Sequence, residues 1–430
     1  MRVSDVNMSV QIRGGQRHML LRVRFQLLIG LICGVLLPGV IRVAVAPQEI
    51  YSSSLQASFL AAFIAHVLGF FSYRKMGNFP GVASAGYILP AFTLSYALII
   101  AILFFFRLDY SRFQVASSFM ASTLWYLVLS LATRRLEPQR LAVVPGGDTK
   151  KLNSIDGVIW QRLSSPNAIV QRAAGVVVDL RQDLSEEWRR FISASVLSGI
   201  PVFHVKQVTE SLTGRVEIEH LSENTLGSLN PDQAYIKLKQ VIDWCCALMV
   251  AILLSPLFAA VALAIRLDSD GPILFRQRRM GYRGHVFTVY KFRSMKVDCG
   301  PGEDRERAMT KSGDDRITRI GHTLRKTRID ELPQIINILR GEMSWIGPRP
   351  EAVVLSRWYE AELSFYNYRH IVRPGISGWA QVNQGHVADV DDVLEKLHYD
   401  FYYIKNFSVW LDALIVLKTI KTMVTGFGAR

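Results

Sequence analysis

The sequence predicts a membrane protein with three parts: a bundle of four transmembrane helices, a small parallel α/β domain, and an α+β domain that carries a bent apolar helix. Three observations predict this architecture. Half of the 430 residues are hydrophobic, and the mean hydropathy of +0.19 is high for a soluble protein. Four long apolar runs follow one another in the first third of the chain. A fifth run, within residues 240–266, is interrupted in its middle by Ser255-Pro256.

The four N-terminal runs each have about the 20 residues that a spanning helix needs. They cover roughly residues 23–46, 55–73, 82–106 and 113–133. The polar, basic residues 1–19 are expected to be disordered, and they do not form a cleavable signal because the apolar run after them is too long. Helices buried in a soluble domain are the alternative, but four such runs in succession are rare there. We therefore assign residues 1–140 to a transmembrane four-helix bundle.

Basic residues lie before the first run, between the second and third, and after the fourth. These are Arg13, Arg17, Arg22, Arg24, Arg74, Lys75, Arg134, Arg135 and Arg140. The positive-inside rule then predicts that both ends of the bundle are cytoplasmic. The formal net charge of +14 suits nucleic acid, anionic lipid or phosphorylated substrates. We expect no nucleic-acid partner, because the sequence has no DNA-binding motif and no interleaving of aromatic and basic residues. The cysteines form no C-x-x-C pair, so neither a zinc site nor a disulfide framework is indicated.

Residues 141–236 change in character, because short apolar runs now alternate with a helical pattern. Strands are predicted at 141–144, 174–180 and 200–205, with a helix at 185–197. This alternation is typical of a parallel α/β domain. Gly146-Gly147 follows the first strand but does not fit the G-x-G-x-x-G pattern, so a nucleotide site has only weak support. We expect the domain to be regulatory or structural.

The apolar run at 244–265 is long enough to cross a bilayer as one kinked helix, or to enter it and return as a re-entrant helix over 240–266. Pro256 removes a helical hydrogen bond, and the Ser255 hydroxyl can satisfy a freed backbone group. The chain after it, residues 266–349, holds 18 Lys and Arg against 11 Asp and Glu. These cations form either a solvated face or a polyanion pocket, and their position at strand ends and around glycines favours the pocket. Activated phosphate substrates are cytoplasmic, and only a re-entrant helix would keep the basic region after it in the cytoplasm. The re-entrant interpretation is therefore favoured.

Two short strands are predicted in this basic region, at 272–275 and 285–292, with residues 277–281 in the connection between them. Asp330-Glu331 follows, after Arg325, Lys326 and Arg328. Asp, Glu and the Pro at 333 suit the start of a helix. The same residues suit a carboxylate nucleophile beside a metal-binding carboxylate, with cations that hold an anionic substrate. The two interpretations are compatible, since a helix N-terminus also attracts phosphate.

Several motifs occur in order over residues 236–430: D-S-D-G-P-I-L-F-R-Q-R-R-M-G, K-F-R-S-M, L-R-K-T-R-I-D-E-L-P-Q, G-E-M-S-W-I-G-P-R-P and R-P-G-I-S-G-W-A-Q-V-N. Together they resemble the bacterial polyprenyl-phosphate sugar-1-phosphate transferases, which are monotopic phosphoglycosyl transferases. The whole chain resembles the large members of that family. The resemblance implies a transmembrane bundle over 1–140, a Rossmann-like cytoplasmic domain over 141–236, and an α+β catalytic domain over 237–430 with a re-entrant membrane helix.

The resemblance also implies a mechanism. Asp330 would attack the β-phosphate of a UDP-sugar and form a phosphosugar-aspartate, UMP would leave, and undecaprenyl phosphate would take the phosphosugar. Glu331 would bind Mg²⁺, and Ser255-Pro256 would form the break of the re-entrant helix. A path of this kind needs a carboxylate nucleophile and neutralisation of phosphate charge. The candidates for phosphate contacts are Lys291, Arg293, Arg325, Arg349 and Arg373.

Further expectations concern the setting of the reaction. The protein would lie in the bacterial inner membrane among its lipids, with the catalytic domain on the cytoplasmic face, and would begin an exopolysaccharide or another surface glycan. The frequency of sugars in the family favours glucose, with galactose next. The oligomeric state is open, a homo-oligomer included. A membrane scaffold and a glycosyltransferase that moves only the sugar are the alternatives. The C-terminal run at 409–424 is too short and too charged to span, and is predicted to be an interfacial or core helix.

Overall fold

The computed structural model describes residues 22–49, 51–76, 87–136, 140–155, 158–166, 173–218, 231–296, 316–384 and 390–425. Residues 1–19, which are predicted to be disordered, lie outside these ranges. The chain divides into two compact units, Met1–Gly214 and Arg215–Arg430.

The first unit begins with four long apolar helices, as predicted. They are α1 (Val23–Val45), α2 (Ser53–Met76), α3 (Ile88–Phe105) and α4 (Arg112–Leu136). Helix α1 has a π-helical turn at Ile32–Leu36, which leaves backbone carbonyls without their usual partners. The Ser118 hydroxyl donates to one of these, the Gly34 carbonyl, at 2.6 Å. His66 is fully buried between α1 and α4, with its ring nitrogens 2.8 Å from Ser122 Oγ and 3.2 Å from Tyr126 Oη. These hydrogen bonds satisfy polar groups inside the bundle, as the bilayer requires.

A four-stranded parallel sheet follows, in the order β2-β1-β3-β4. Its strands are β1 (Arg140–Val143), β2 (Ile159–Arg162), β3 (Gly175–Val178) and β4 (Val202–His204), and its helices are α5 (Glu186–Leu197) and α6 (Val205–Thr213). Three strands and α5 were predicted within a few residues. β2 and α6 were missed, because β2 contains only two apolar residues among four and α6 carries Lys, Gln, Thr and Glu between its apolar positions.

The turn after β1 is closed by a side chain of the same sheet. The Asp179 carboxylate accepts hydrogen bonds from the backbone N–H groups of Asp148 and Arg181, both at 3.1 Å. Gly147 has φ of +55°, and a Cβ there would come within 2.3 Å of Asp179 Oδ2. The glycine is thus required by the close approach of Asp179. The Rossmann-like relationship stays a prediction.

The second unit starts with two helices, α7 (Gln233–Leu253) and α8 (Ser255–Asp268), which are bent by 62° at the break between them. The predicted break is confirmed, and Ser255 Oγ donates to the Ile252 carbonyl at 2.8 Å, as expected. The helices expose large apolar side chains, among them Leu253 at 73% and Leu267 at 79%. Such a surface suits contact with lipid.

An antiparallel hairpin of β5 (Leu274–Met280) and β6 (Val286–Phe292) comes next. The prediction that residues 277–281 connect two strands was wrong in part, because all but Gly281 belong to β5. Cations hid this strand, since Arg276, Arg278 and Arg279 break the apolar alternation that predicts strands. The remaining elements are α9 (Arg319–Lys326), α10 (Ile335–Leu339), β7 (Ser344–Ile346), α11 (Val353–Glu362), β8 (Gly375–Ser377), α12 (Trp379–Asn383), α13 (Val390–Lys405) and α14 (Val409–Thr425).

Parallel strands β7 and β8 bring two glycine-containing loops together. A Cβ on Gly375 would come within 2.1 Å of the Gly347 nitrogen, and one on Gly378 within 2.3 Å of the Gly347 carbonyl oxygen. These glycines therefore shape the close approach of the P-G-I-S-G segment to the loop that follows β7. That loop carries Arg349.

Candidate active site

Asp330 and Glu331 lie in a 3₁₀ turn, Ile329–Gln334, directly before α10. The predicted helix start is present, but Asp330 makes no capping bond. The turn is entered through Arg328, whose φ of +57° is unusual for a side chain with a Cβ. Backbone strain of this kind is concentrated at functional sites. The left-handed backbone at Arg328 turns the two carboxylates toward β6.

The turn is fastened to β6 through Asn337, which is fully buried. Its Nδ2 donates to the Thr288 carbonyl at 2.7 Å, and its Oδ1 accepts from the Tyr290 N–H at 3.2 Å. Lys291 is the next residue of β6. These two hydrogen bonds explain why an Asn occurs in the apolar stripe of α10. They also set the distance between the carboxylates and Lys291.

Glu331 is held by two cations at once. One of its oxygens, Oε1, accepts from Lys291 Nζ at 2.8 Å and from Arg349 Nη2 at 2.6 Å. Burial alone would raise the pKa of the Glu331 carboxyl, but the charges and hydrogen bonds of Arg349 and Lys291 lower it well below its ordinary value. Glu331 in turn raises the pKa of Arg349, while burial lowers that of Lys291. Glu331 is therefore ionised throughout the neutral range.

Asp330 has the opposite surroundings, although it is the adjacent residue. Its exposure is 9%, and within the described ranges it accepts no hydrogen bond and joins no ion pair. Burial, and then the negative charge of Glu331, raise the pKa of the Asp330 carboxyl to about 6. Lys291, Arg325 and Arg349 oppose this rise. Asp330 is thus a largely ionised carboxylate at neutral pH, free to react.

Arg325 lies on α9, one turn before Asp330. Its Nη1 is buried and has no hydrogen-bond partner in the part of the chain that the structure describes. A buried guanidinium N–H without an acceptor is costly, and a phosphate oxygen would supply one. The arrangement is consistent with the predicted phosphate contact.

Two of the predicted phosphate contacts point elsewhere. Arg293 is 6% exposed, and its guanidinium donates to the carbonyls of Ser269 and Asp270, where it fastens the end of α8 to the end of β6. Arg373 Nε donates to the Gly341 carbonyl at 2.9 Å, and its guanidinium lies over the Tyr282 ring. Neither residue contacts Asp330 or Glu331 among the described hydrogen bonds. Their predicted contacts with substrate stay predictions.

Arg279 was not predicted as a site residue, because it was assigned to a connecting loop. Its guanidinium donates to the Pro350 carbonyl and to Gln277 Oε1. Burial, and then the charge of Arg349, lower the pKa of Arg279 to about 10, so it remains a cation at neutral pH. Its position adds positive potential next to Arg349. Its neighbour in β5, Met280, hydrogen-bonds through its N–H to the Glu351 carbonyl, so β5 itself supports the P-R-P loop.

The two carboxylates also limit which metal could bind here. Among the described residues, no three His, Cys, Asp or Glu side chains come together in a group that could hold an ion. Mg²⁺ commonly takes one or two carboxylates and completes its shell with waters and substrate phosphates. An ion of this type would take Glu331 as its protein ligand and complete its shell with waters and a phosphorylated substrate, and the ion stays a prediction.

Comparison with known proteins gives a consistent result. The family model described as bacterial sugar transferase matches residues 234–426. A UDP-N-acetylgalactosamine-undecaprenyl-phosphate N-acetylgalactosaminephosphotransferase of Aeromonas hydrophila is 44% identical over 404 residues, which are 94% of this chain and 95% of that protein. A UDP-glucose:undecaprenyl-phosphate glucose-1-phosphate transferase of Escherichia coli K12 is 42% identical over 185 residues, 43% of this chain and 39% of that protein.

A third relative is short. The exopolysaccharide production protein PSS of Rhizobium leguminosarum bv. phaseoli is 39% identical over 193 residues, which are 44% of this chain but 96% of that protein. The match to the first relative extends through both units, and the carboxylate pair lies inside the region that the family model covers. This chain therefore belongs to the bacterial sugar transferase family of polyprenyl-phosphate sugar-1-phosphate transferases.

Proposed function

We propose that the protein transfers a sugar-1-phosphate from a UDP-sugar to undecaprenyl phosphate through a covalent intermediate on Asp330. The observation that carries this is the contrast between two adjacent carboxylates. Glu331 is bound by two cations, whereas Asp330 is buried, unpaired within the described ranges and ionised at neutral pH. Paired groups with divergent surroundings are the usual way to assign two roles to two like residues. Asp330 is the nucleophile in this assignment.

In the first step, an Asp330 oxygen attacks the β-phosphorus and the bond from that phosphorus to the bridging oxygen breaks, so that UMP leaves. In the second step, an oxygen of undecaprenyl phosphate attacks the same phosphorus, and the bond to Asp330 breaks. Lys291, Arg325 and Arg349 lie close enough to the two carboxylates to neutralise phosphate charge. Mg²⁺, held by Glu331, would supply further neutralisation of the diphosphate.

The sugar is a separate proposal. Family frequency favours glucose, whereas the relative that is matched over 95% of its length bears N-acetylgalactosamine in its name. Both belong in a panel with galactose. The purified protein should release at most one equivalent of UMP per molecule from its UDP-sugar alone, as the adduct forms, and should release UMP continuously only when undecaprenyl phosphate is present. Release of UDP would indicate transfer of the sugar alone, and release of neither nucleotide would support a scaffold.

The activity should depend on pH through Asp330. Because the carboxylate must be ionised to attack, kcat/KM should rise with pH to a plateau, with a midpoint near the pKa of about 6. Replacing Glu331 with Gln removes the neighbouring negative charge and should move the midpoint of the residual activity to lower pH. A rate profile measured from pH 5 to 8 tests this. A midpoint near 4 in the native protein would contradict the buried environment of Asp330.

We further propose that the protein lies in the bacterial inner membrane with both ends of α7–α8 on the cytoplasmic side. The support is the 62° bend, the exposed apolar surface of both helices and the charges at their outer ends, Lys237 and Arg266. The apolar stretches on the two sides of the break, 244–253 and 255–265, are each about half as long as a spanning helix. A bent pair of this kind enters one leaflet and returns, which places the attached site near the lipid headgroups.

Cysteine labelling of intact cells with a membrane-impermeant reagent should leave cysteines at positions 237 and 270 unlabelled. The experiment needs a background whose native cysteines are replaced by serine. A cysteine in place of Tyr51, between α1 and α2, is the positive control, because this loop is predicted to face outward. Replacing Pro256 with Leu should weaken the bend and expose position 270 in part of the molecules. If a cysteine at 270 is labelled and one at 237 is not, in the protein that retains Pro256, the helix spans the membrane.

The second unit should be active without the first, and it should be more stable when the cut is made before Arg215. Arg215 pairs with Glu395 on α13, and Val216, 1% exposed, donates through its N–H to the His398 carbonyl at 3.0 Å. A fragment of residues 215–430 should therefore release UMP and unfold at higher temperature than one of residues 231–430. The short relative, matched over 96% of its length, supports an independent catalytic unit. Equal stability of the two fragments would show that the segment is dispensable.

A further inference from the structure

The loop that carries Arg349 lacks two of its own hydrogen-bond donors. Pro348 and Pro350 have no backbone N–H, so the loop offers mainly carbonyl acceptors to its surroundings. Four consecutive carbonyls accept from outside the loop. The Pro348 carbonyl accepts from Gly375 N–H at 3.0 Å, and that of Glu351 from Met280 N–H at 3.0 Å. The two carbonyls between these accept from guanidinium groups. Arg369 Nη2 donates to the Arg349 carbonyl at 2.9 Å, and Arg279 Nη1 donates to the Pro350 carbonyl.

The two guanidinium groups differ in charge balance. Arg369 forms a buried ion pair with Asp400, with side-chain exposures of 3% and 2%. Its Nε and Nη2 donate to Asp400 Oδ2 at 3.1 and 2.8 Å, and its Nη1 donates to Tyr366 Oη at 2.7 Å. Arg279 has only neutral acceptors among its described hydrogen bonds. Arg369 therefore adds little net charge to the site. Its contact with the Arg349 carbonyl acts by fixing the position of that residue and not by adding positive potential.

Arg369 contacts the backbone of Arg349, whereas the Arg349 side chain contacts Glu331. Arg349 Nη2 reaches Glu331 Oε1 at 2.6 Å, while its own carbonyl is held by Arg369. Because two of its residues have no N–H, this loop makes few hydrogen bonds of its own, and contacts from outside are needed to orient the guanidinium that it carries. The planar guanidinium of Arg369 holds the loop in this way. Asp400 and Tyr366 fix the plane of the guanidinium, so that an N–H of Nη2 points at the Arg349 carbonyl.

We propose that Arg369 and Asp400 are positioning residues for Arg349: their buried ion pair holds the Arg349 carbonyl and so aims its guanidinium at Glu331 and at the diphosphate of the substrate. This role rests on the proposed function for its substrate, although not for its geometry. Neither residue touches the reacting atoms. Their effect passes through Arg349, and that dependence can be measured.

The test is a double-mutant cycle with Arg369→Lys and Arg349→Ala. Lysine keeps the charge opposite Asp400 but cannot donate to Asp400, Tyr366 and the Arg349 carbonyl in one plane. In the native background, Arg369→Lys should lower kcat/KM for the UDP-sugar by about 10- to 100-fold, the cost of a small misplacement. In the Arg349→Ala background, it should change kcat/KM by less than about 3-fold, because the residue that it positions is gone. The same loss in both backgrounds would show a merely structural ion pair and overturn the proposal.

Glu395→Gln is the matched control, because it breaks another arginine–carboxylate pair on the same helix, with Arg215, that has no link to Arg349. It should leave kcat/KM unchanged. If Arg369→Lys does not fold, Tyr366→Phe takes its place: it keeps the buried ring and removes only the hydroxyl that accepts from Arg369. It should show a smaller loss with the same dependence on Arg349, and an equal loss in both backgrounds would overturn the proposal as well.

The cycle is also run on the affinity for UDP, measured by calorimetry without turnover. If the native protein releases no UMP from any UDP-sugar, the proposed function fails, but coupling between Arg369 and Arg349 in UDP binding would still support the positioning role. Turnover with no coupling in either measurement would retain the function and reject the positioning role.

Discussion

Replacing Asp330 with Asn should abolish turnover and prevent any phosphosugar adduct, with a loss on the order of 10⁴-fold or more, as is typical when an essential nucleophile is removed. The amide retains the size of the side chain but has no negative oxygen for attack on phosphorus. The measurements are UMP release and mass spectrometry of the protein after incubation with the UDP-sugar. An adduct on another residue, or substantial remaining activity, would contradict the assignment.

The same substitution should stabilise the fold, which separates loss of chemistry from loss of structure. Burial and the charge of Glu331 raise the folded pKa of Asp330 to about 6, above the unfolded value of about 3.9. The folded state then binds more protons between these values, so stability falls as pH rises through this window and stays lower at pH 7. Asparagine carries no charge to bury, and the gain at pH 7 should be on the order of 2 to 3 kcal/mol. Thermal unfolding of both proteins at pH 7 and at pH 4 tests this, since the difference should shrink at the lower pH.

The parts of the fold that local sequence specifies were predicted well. The four N-terminal helices follow from uninterrupted hydropathy, and the break before Pro256 follows from one missing N–H. The pair of Asp330 and Glu331 was predicted through its position beside cations and before an apolar helix. Each of these signals lies within a single stretch of chain, where residue type and structure are directly connected.

The parts that depend on distant partners were not predictable in this way. Arg293 and Arg349 look alike in sequence, as basic residues in a basic region, yet one fastens α8 and the other binds Glu331. Only the fold distinguishes them. Arg369 and Asp400 are separated by 31 positions, and neither lies in a motif that indicates an ion pair. Strand β5 was shortened in the prediction because its arginines face partners that periodicity does not reveal.

Replacing Arg349 with Ala should be the second most damaging change, and it acts through two effects at once. Its guanidinium is one of the two cations on Glu331 Oε1, so its loss leaves a buried carboxylate with Lys291 alone and raises the pKa of Glu331 from its lowered value. It also removes a fork of donors from the place where the substrate's diphosphate would lie. Loss of a charge-assisted donor at a phosphoryl group commonly costs about 10²- to 10³-fold in rate.

We therefore expect kcat/KM for the UDP-sugar to fall by about that factor in Arg349→Ala, and by a smaller factor in Arg349→Lys, which retains the charge without the fork. The salt dependence of UDP-sugar binding should also weaken, because one cation no longer contributes. Arg340→Gln serves as the control, since that guanidinium bonds the exposed Tyr290 hydroxyl and not a carboxylate. If Arg349→Ala kept native kinetics and native salt dependence, its contact with Glu331 would be structural only, and the anion pocket would have to be built from Lys291, Arg325 and Arg279.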